Sequence, residues 1–263
     1  MSEQTLVTRE GPALIVAFNR PEALNALTDA MLAQTRAAMV EALTDPTIAA
    51  VVLTGSARAF CAGGDLKGTA ESTLPPYDKY LKRFTETEWH AFARFLHRFP
   101  RPVIAAVEGH CYGGGLELAL IADFIVASET AKFGLTEASH GLFPILGGAW
   151  SLARAVGPRQ AKALAFTAKR FGAEEALRLQ IAVEVTPAGD AVPRAVAMAG
   201  EIANCAPLAV AAAKQAIDRA HGQSFDEGLT AAGEFSLMLM FSEDRAEGLA
   251  AFKEKRAPKF KGR

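Results

Sequence analysis

The sequence is poor in cysteine, has no excess of charge of either sign and lacks a long apolar run. Its three cysteines are an odd number in a chain of 263 residues and do not form the pattern of a disulfide framework. The formal net charge of −1 removes the electrostatic basis for binding nucleic acid. No apolar stretch approaches the roughly 18 residues of a membrane span. We therefore expect neither a nucleic-acid partner nor a membrane association.

Targeting and cofactor motifs are absent as well. The first four residues lack the basic start and apolar stretch of a secretory signal, so we expect a cytoplasmic protein with reduced thiols. There is no G-x-x-x-x-G-K-[ST] phosphate loop, no G-x-G-x-x-G dinucleotide fingerprint and no G-x-S-x-G serine elbow. No cysteine–histidine cluster has zinc spacing, so the sequence predicts no metal site.

What the sequence does contain is ordinary globular composition, half of it hydrophobic, arranged as short apolar runs that alternate with helical patterns. The predicted strands span residues 14–18, 48–53, 103–107 and 124–127. Thr28 is a candidate cap for a following helix, and residues 76–98 carry helical spacing. The alternation is typical of βαβ units with a parallel sheet. Helical spacing then dominates, which predicts an α/β body over residues 1–190 and a helical region over 191–263.

Two glycine-rich turns follow two of these predicted strands. Gly63 and Gly64 come after the run at 48–53, and three consecutive glycines, 113–115, come after the run at 103–107. Glycine permits close approach to the backbone, and ligands of parallel sheets bind outside the carboxyl ends of the strands. Backbone N–H groups of the two turns can thus bracket one carbonyl oxygen. Either turn alone is more often a simple tight connection.

Glu117 falls in the first turn of the helix that follows the second glycine-rich turn. Because a helix N-terminus favours negative charge, we expect it to lower the pKa of Glu117, while an apolar site raises the pKa of a second carboxyl. Taken alone, Glu117 is explained equally well as a charge at a helix terminus, and Glu137 is better explained as a solvated loop charge.

Five segments, taken in order, resemble the crotonase family of enoyl-CoA hydratases and isomerases. They span residues 19–27, 60–66, 109–117, 133–148 and 243–256. The resemblance implies a crotonase-like spiral of βαβ units with a helical C-terminal trimerisation region. It also implies assembly as a homotrimer or a dimer of trimers, and no cofactor beyond the coenzyme A of the substrate.

The same resemblance implies the site residues. Gly64 and Gly114 take the positions of the two oxyanion-hole N–H donors, and Glu117 and Glu137 take those of the two hydratase glutamates. The substrate-binding positions are Ala23, Leu24, Ala62, Asp65, Leu66 and Lys255. Asp65 alone is better explained as a structural cap. Lys255, in a basic tail, would reach the CoA phosphates of a neighbouring subunit, the alternative being a solvated tail.

The expected activity is hydration of a 2-trans-enoyl-CoA to the 3-hydroxyacyl-CoA. The alternatives are a double-bond isomerase or specialised dehydratase of the same family, and a non-catalytic acyl-CoA-binding member. Two departures from the family pattern bear on the substrate. Leu237 stands where the family often has a phenylalanine on adenine, and residues 138–140 differ from the commonest hydratase pattern beside the acyl pocket.

Overall fold

Two β-sheets and the helices around them make up the computed structural model, which describes residues 3–65 and 87–263. The strands are β1 (Thr5–Glu10), β2 (Ala13–Phe18), β3 (Ala50–Thr54), β4 (Ala59–Cys61), β5 (Val103–Val107), β6 (His110–Tyr112), β7 (Phe124–Ser128), β8 (Lys132–Gly134), β9 (Phe171–Gly172) and β10 (Glu184–Thr186). The larger sheet has the order β1-β2-β3-β5-β7-β10, and the smaller sheet has the order β4-β6-β8-β9.

The larger sheet is parallel except at one edge. There β1 and β2 form an antiparallel hairpin around Gly11, whose φ of +54° suits a residue without a Cβ. From β2 to β10 every pairing is parallel. The central strands β3 and β5 are buried on both faces, which is why they are continuous apolar runs rather than alternating ones. The predicted strands and the parallel sheet are confirmed.

The chain climbs from one sheet to the other in a repeating spiral. It passes from β3 to β4, from β5 to β6 and from β7 to β8, and each pair places one strand in each sheet. Successive turns of the spiral stack in parallel. In the larger sheet β3 pairs with β5 and β5 pairs with β7, and in the smaller sheet β4 pairs with β6 and β6 pairs with β8. The spiral of βαβ units expected from the family resemblance is confirmed.

Helices cover the sheets and make up most of the C-terminal third. They are α1 (Asp29–Thr44), α2 (Glu88–His97), α3 (Gly114–Ile121), α4 (Gly148–Val156), α5 (Pro158–Phe166), α6 (Ala173–Arg178), α7 (Ala191–Ala203), α8 (Pro207–Arg219), α9 (Phe225–Met240) and α10 (Glu243–Glu254). Thr28 caps α1 as predicted, its hydroxyl accepting from the Met31 amide at 3.1 Å. Among the described helices, none by itself is long and apolar enough to cross a membrane.

The main core lies between the two sheets, and a second cluster lies on the outer face of the larger sheet. There Ala191, Ala195 and Ala199 of α7 pack against Val52 and Ile104. Alanine lets the helix approach the sheet closely, and each of these three side chains is fully buried. Thus α7 contributes to the core although it follows residue 190. The division of the chain at that residue stays a prediction.

The smaller sheet is the part of the fold that the sequence pattern did not reveal. Strands β4, β6 and β8 have three residues each, too few for a period-2 pattern to stand out. The edge strand β1 was missed as well; five of its six residues are exposed. Of the helix predicted over residues 76–98, the structure describes α2, and the preceding part lies outside the described residues.

Candidate active site

The two glycine-rich turns lie side by side at the carboxyl ends of β4 and β6. These strands pair in parallel, with Ala59 opposite His110 and Cys61 opposite Cys111. The two turns lie together, as expected. They do not directly follow the predicted strands of the larger sheet, however, but strands of the smaller sheet. The turns extend strands of the smaller sheet, because each chain segment leaves the larger sheet and forms a second short strand before its turn.

The two turns approach each other closely, so that the backbones of Gly63 and Gly64 lie against those of Gly113 and Gly114. A Cβ on Gly114 would lie 3.7 Å from the Gly64 nitrogen, and a Cβ on Gly63 would lie 3.6 Å from the Gly114 nitrogen. Gly63 and Gly113 have φ values of +108° and +51°, which favour glycine. Within residues 3–65 and 87–263, neither the Gly64 nor the Gly114 amide donates a hydrogen bond. In the part of the chain that the structure describes, two neighbouring N–H groups are thus left without an acceptor.

A strap of residues 20–27 holds the first turn in place. The Asn25 side chain donates to the Ala59 carbonyl at 2.8 Å, and the Ala62 amide donates to the Leu24 carbonyl at 3.0 Å. Leu24 and Asn25 both have positive φ, 50° and 57°, a backbone conformation that is uncommon for such residues and clusters at ligand sites. Ala23 belongs to the same tight turn. The structure therefore brings Ala23, Leu24 and Ala62 together.

Asp65 serves this strap as well. Arg20 donates to its carboxylate at 2.8 Å and to the Ala26 carbonyl at 2.6 Å. The ion pair is mostly buried and ties the strap to the end of the turn. The other predicted positions are not gathered here. Leu66 lies outside the described residues, and Lys255 ends α10 in an exposed, left-handed conformation without a contact to the turns in the described part of the chain.

Glu117 lies in the first turn of α3 and is 2% exposed. Its Oε1 accepts hydrogen bonds from the Leu146 amide at 2.9 Å and the Gly148 amide at 2.8 Å, at the N-terminus of α4. Burial nevertheless raises the pKa of Glu117 to about 7, with a smaller rise from the charge of Glu137. The expectation that the helix terminus lowers this pKa was wrong, because loss of hydration outweighs the backbone donors.

The clamp on Glu117 is a feature that sequence reasoning missed. Gly147, with a φ of +97°, caps α4, and Gly148 begins it. A Cβ on Gly148 would lie 2.4 Å from Cγ of Glu117, so a larger residue cannot occupy that position without moving the carboxylate. Paired glycines at a helix start were the available signal. They fall within the segment 133–148 that resembles the family pattern, but a sequence pattern does not give the contact they make.

Glu137 begins the short 3₁₀ helix Glu137–His140. Both of its carboxylate oxygens are buried, yet neither has a hydrogen-bond partner among the described residues. A Cβ on Gly113 would lie 3.3 Å from Oε1, so this carboxylate stands beside the second glycine-rich turn. Burial raises the pKa of Glu137, with an opposing effect from the charge of nearby His140. A buried carboxylate without protein donors is costly unless the site supplies a partner.

The cysteines near the turns have a packing role. Cys61 and Cys111 are fully buried, and burial raises the pKa of the Cys61 thiol to about 12, which makes it a poor nucleophile at neutral pH. In the described part of the chain, no group of three or more histidine, cysteine or acidic side chains is placed to hold a metal ion. Among the described residues, the chemically distinctive groups are therefore two amides without an acceptor and two carboxyls with buried oxygens and raised pKa values.

The whole chain can be compared with protein families and with solved structures. The family model described as enoyl-CoA hydratase/isomerase matches residues 9–263. The chain is similar to a probable enoyl-CoA hydratase of Mycobacterium bovis, 40% identical with 98% of each chain covered. It is also similar to the 2,3-dehydroadipyl-CoA hydratase of Escherichia coli K12, 38% identical with all of each chain covered.

Solved structures agree with the sequence comparison. A crystal structure of enoyl-CoA hydratase from Bacillus anthracis superposes with a TM-score of 0.91 at 32% identity, covering 99% of this chain and 100% of the other. The match extends over the whole spiral and the C-terminal helices. The chain belongs to the enoyl-CoA hydratase/isomerase family, the crotonase family whose motifs its sequence resembles.

Proposed function

We propose that this protein adds water to the double bond of a 2-trans-enoyl-CoA and releases the 3-hydroxyacyl-CoA. The observation that carries the proposal is Glu137, whose two buried carboxylate oxygens lack a partner among the described residues while standing beside the Gly113–Gly114 turn. The hydratase names of the relatives from Mycobacterium bovis and Escherichia coli support it.

The Gly64 and Gly114 amides, which have no acceptor among the described residues, are assigned to the thioester carbonyl. Addition of water at C3 places negative charge on that oxygen, and the N–H groups of Gly64 and Gly114 stabilise the charge as it develops. Both are fixed by the backbone, so they need no rearrangement during the reaction. Loss of one such donor generally costs on the order of 10²–10³ in rate.

The two carboxyls are assigned to the water. Because each has a raised pKa and the charge of Glu137 further raises that of Glu117, the pair retains a proton near neutral pH more readily than two separate glutamates. The ionised member accepts a proton from water as the oxygen bonds to C3. The protonated member delivers its proton to C2 as the enolate collapses. One water is consumed, and the pair ends with one proton as it began.

The oligomer is part of the proposal. We infer that the chain assembles as a homotrimer or a dimer of trimers through the C-terminal helices, where large apolar side chains are exposed. Phe225, Phe241 and Phe252 are each 82% exposed. Patches of this kind on a single chain are typical of interaction surfaces. In such an assembly Lys255 would meet the CoA phosphates of a neighbouring subunit.

The test is turnover of crotonyl-CoA, followed by loss of the conjugated absorbance. Glu137→Gln should lower kcat by roughly 10²–10⁴, the usual contribution of general acid–base catalysis. Glu117→Gln should lower kcat by a similar factor, and the double variant should lose much less than the product of the two single losses, since the two groups act as a unit. Glu129→Gln, an exposed carboxyl outside the site, is the matched control and should have no effect.

Three outcomes would reject the proposal as stated. Near-normal hydration by Glu137→Gln would remove the acid–base assignment. Conversion of a 3-enoyl-CoA to the 2-enoyl isomer, without hydration, would identify an isomerase. Binding of acyl-CoA without turnover of any enoyl-CoA would identify a binding protein.

A further inference from the structure

Trp89 is a large side chain next to the proposed carbonyl site that the proposed mechanism does not use. It is the second residue of α2 and is half-buried against the core. A Cβ on Gly64 would lie 3.4 Å from its Cη2 atom and 3.9 Å from its Cζ3 atom. The outer edge of the indole therefore faces the backbone of the residue whose amide is assigned to the thioester oxygen.

The indole is anchored at its opposite side. Its Nε1–H donates to Oδ1 of Asp29, the first residue of α1, at 2.6 Å. A hydrogen bond to a carboxylate is stronger than one to a neutral acceptor. The ring is thus fixed at its polar end by α1 and presents an apolar edge at the turn that carries Gly64.

We propose that Trp89, oriented by Asp29, is the wall of the acyl pocket on the Gly64 side and limits the length and bulk of the acyl group. This inference rests on the proposed function. An apolar ring edge suits a hydrocarbon chain rather than the charged nucleotide of CoA. Because the ring already stands at van der Waals distance from the place of a Gly64 Cβ, it fills space that a longer chain would otherwise enter.

The first experiment compares substrates of two lengths. For Trp89→Ala, the ratio of kcat/KM for 2-trans-decenoyl-CoA to that for crotonyl-CoA should rise at least about tenfold, since one methylene in an apolar pocket already changes kcat/KM by about 10–200-fold. Trp89→Phe should give a smaller rise. Asp29→Ala should move the ratio in the same direction, because it releases the ring without removing it, whereas Asp29→Asn retains an acceptor and should not.

The second experiment leaves Trp89 in place. The chain has two tryptophans, so Trp150→Phe makes Trp89 the single indole fluorophore. Trp150 is 54% exposed and contacts His97 and Arg154, so this variant should keep the wild-type substrate ratio and serves as the control. Octanoyl-CoA, which cannot be hydrated, should shift the Trp89 emission to shorter wavelength by removing water from the ring, and free CoA should not.

The outcomes separate this proposal from the proposed function. An unchanged or lower substrate ratio in a folded Trp89→Ala or Trp89→Phe variant would overturn the assignment of Trp89 while hydration stands. The same holds if bound octanoyl-CoA leaves the emission unchanged or if free CoA shifts it equally. If no enoyl-CoA is hydrated, the proposed function fails, and the fluorescence result still decides whether Trp89 lines an acyl pocket.

Discussion

Glu117→Gln should make the protein more stable at neutral and alkaline pH while removing most of its activity. The buried carboxyl has a pKa of about 7, against an ordinary value of 4.5. The amide oxygen of glutamine can accept the same two N–H groups, from Leu146 and Gly148, that now donate to Oε1. The substitution therefore keeps the hydrogen bonds and removes only the charge that is costly to bury.

The pH dependence of the free energy of unfolding follows from the difference between the Glu117 pKa values of the folded and unfolded states. Between pH 4.5 and 7 the unfolded glutamate releases its proton while the folded one retains it, so the free energy of unfolding falls as pH rises. Above pH 7 both states are ionised and the loss is complete. The difference between 4.5 and about 7 corresponds to about 3 kcal/mol, at roughly 1.4 kcal/mol per pH unit. Glutamine does not titrate and escapes this loss.

The assay is urea unfolding of both proteins across pH 4.5–8.5 at one fixed protein concentration, since assembly adds to apparent stability. The excess stability of Glu117→Gln should be near zero at the acid end and grow to about 3 kcal/mol above pH 7. Glu41→Gln, an exposed carboxyl on α1, is the matched control and should show no such growth. A difference between Glu117→Gln and wild type that stays constant with pH would refute the reasoning.

Two further substitutions test the packing of Gly148 against Glu117 and the proposed contact of Lys255 with CoA. Gly148→Ala places a Cβ 2.4 Å from Cγ of Glu117 and should lower kcat by about 10²-fold or more. Gly200→Ala, whose Cβ would meet no described residue within 4 Å, is the control and should not lower kcat. Equal activity of the two variants would contradict the clamp. Lys255→Ala should raise KM for CoA thioesters with kcat nearly unchanged, and the effect should shrink with salt. Lys253→Ala, on the same helix, is its control, and an unchanged KM at low ionic strength would favour a solvated side chain.

The basic C-terminal tail makes hydrogen bonds that its amino-acid composition does not indicate. Its charges suggested a solvated end or a CoA contact. In the structure the tail turns back on α10, where buried Asp244 accepts from the Lys261 and Gly262 amides at 2.6 and 2.8 Å. Glu247 likewise accepts from the Lys259 amide at 2.7 Å. No periodicity marks such a pairing of side chain and backbone, so sequence analysis could not find it.

Much of the fold could be predicted because its signals are local. Parallel strands such as β5 are buried on both faces, so they appear as unbroken apolar runs, and helices such as α1 carry their own caps. The two glycine-rich turns and the two glutamates stand in motifs short enough to recognise. These features depend on neighbours within a few residues, and for them the sequence by itself was sufficient.

Only the tertiary structure decided the chemistry of the site. The smaller sheet, built mostly from three-residue strands, places the Gly64 and Gly114 amides side by side. The Gly148 amide at the N-terminus of α4, 31 residues away in sequence, donates to Glu117. That enclosure reverses the expected direction of the Glu117 pKa, because a pKa depends on the hydration lost on folding as well as on the helix that carries the group. The candidate site residues can be proposed from the sequence, but their distances, burial and protonation arise from contacts between distant segments.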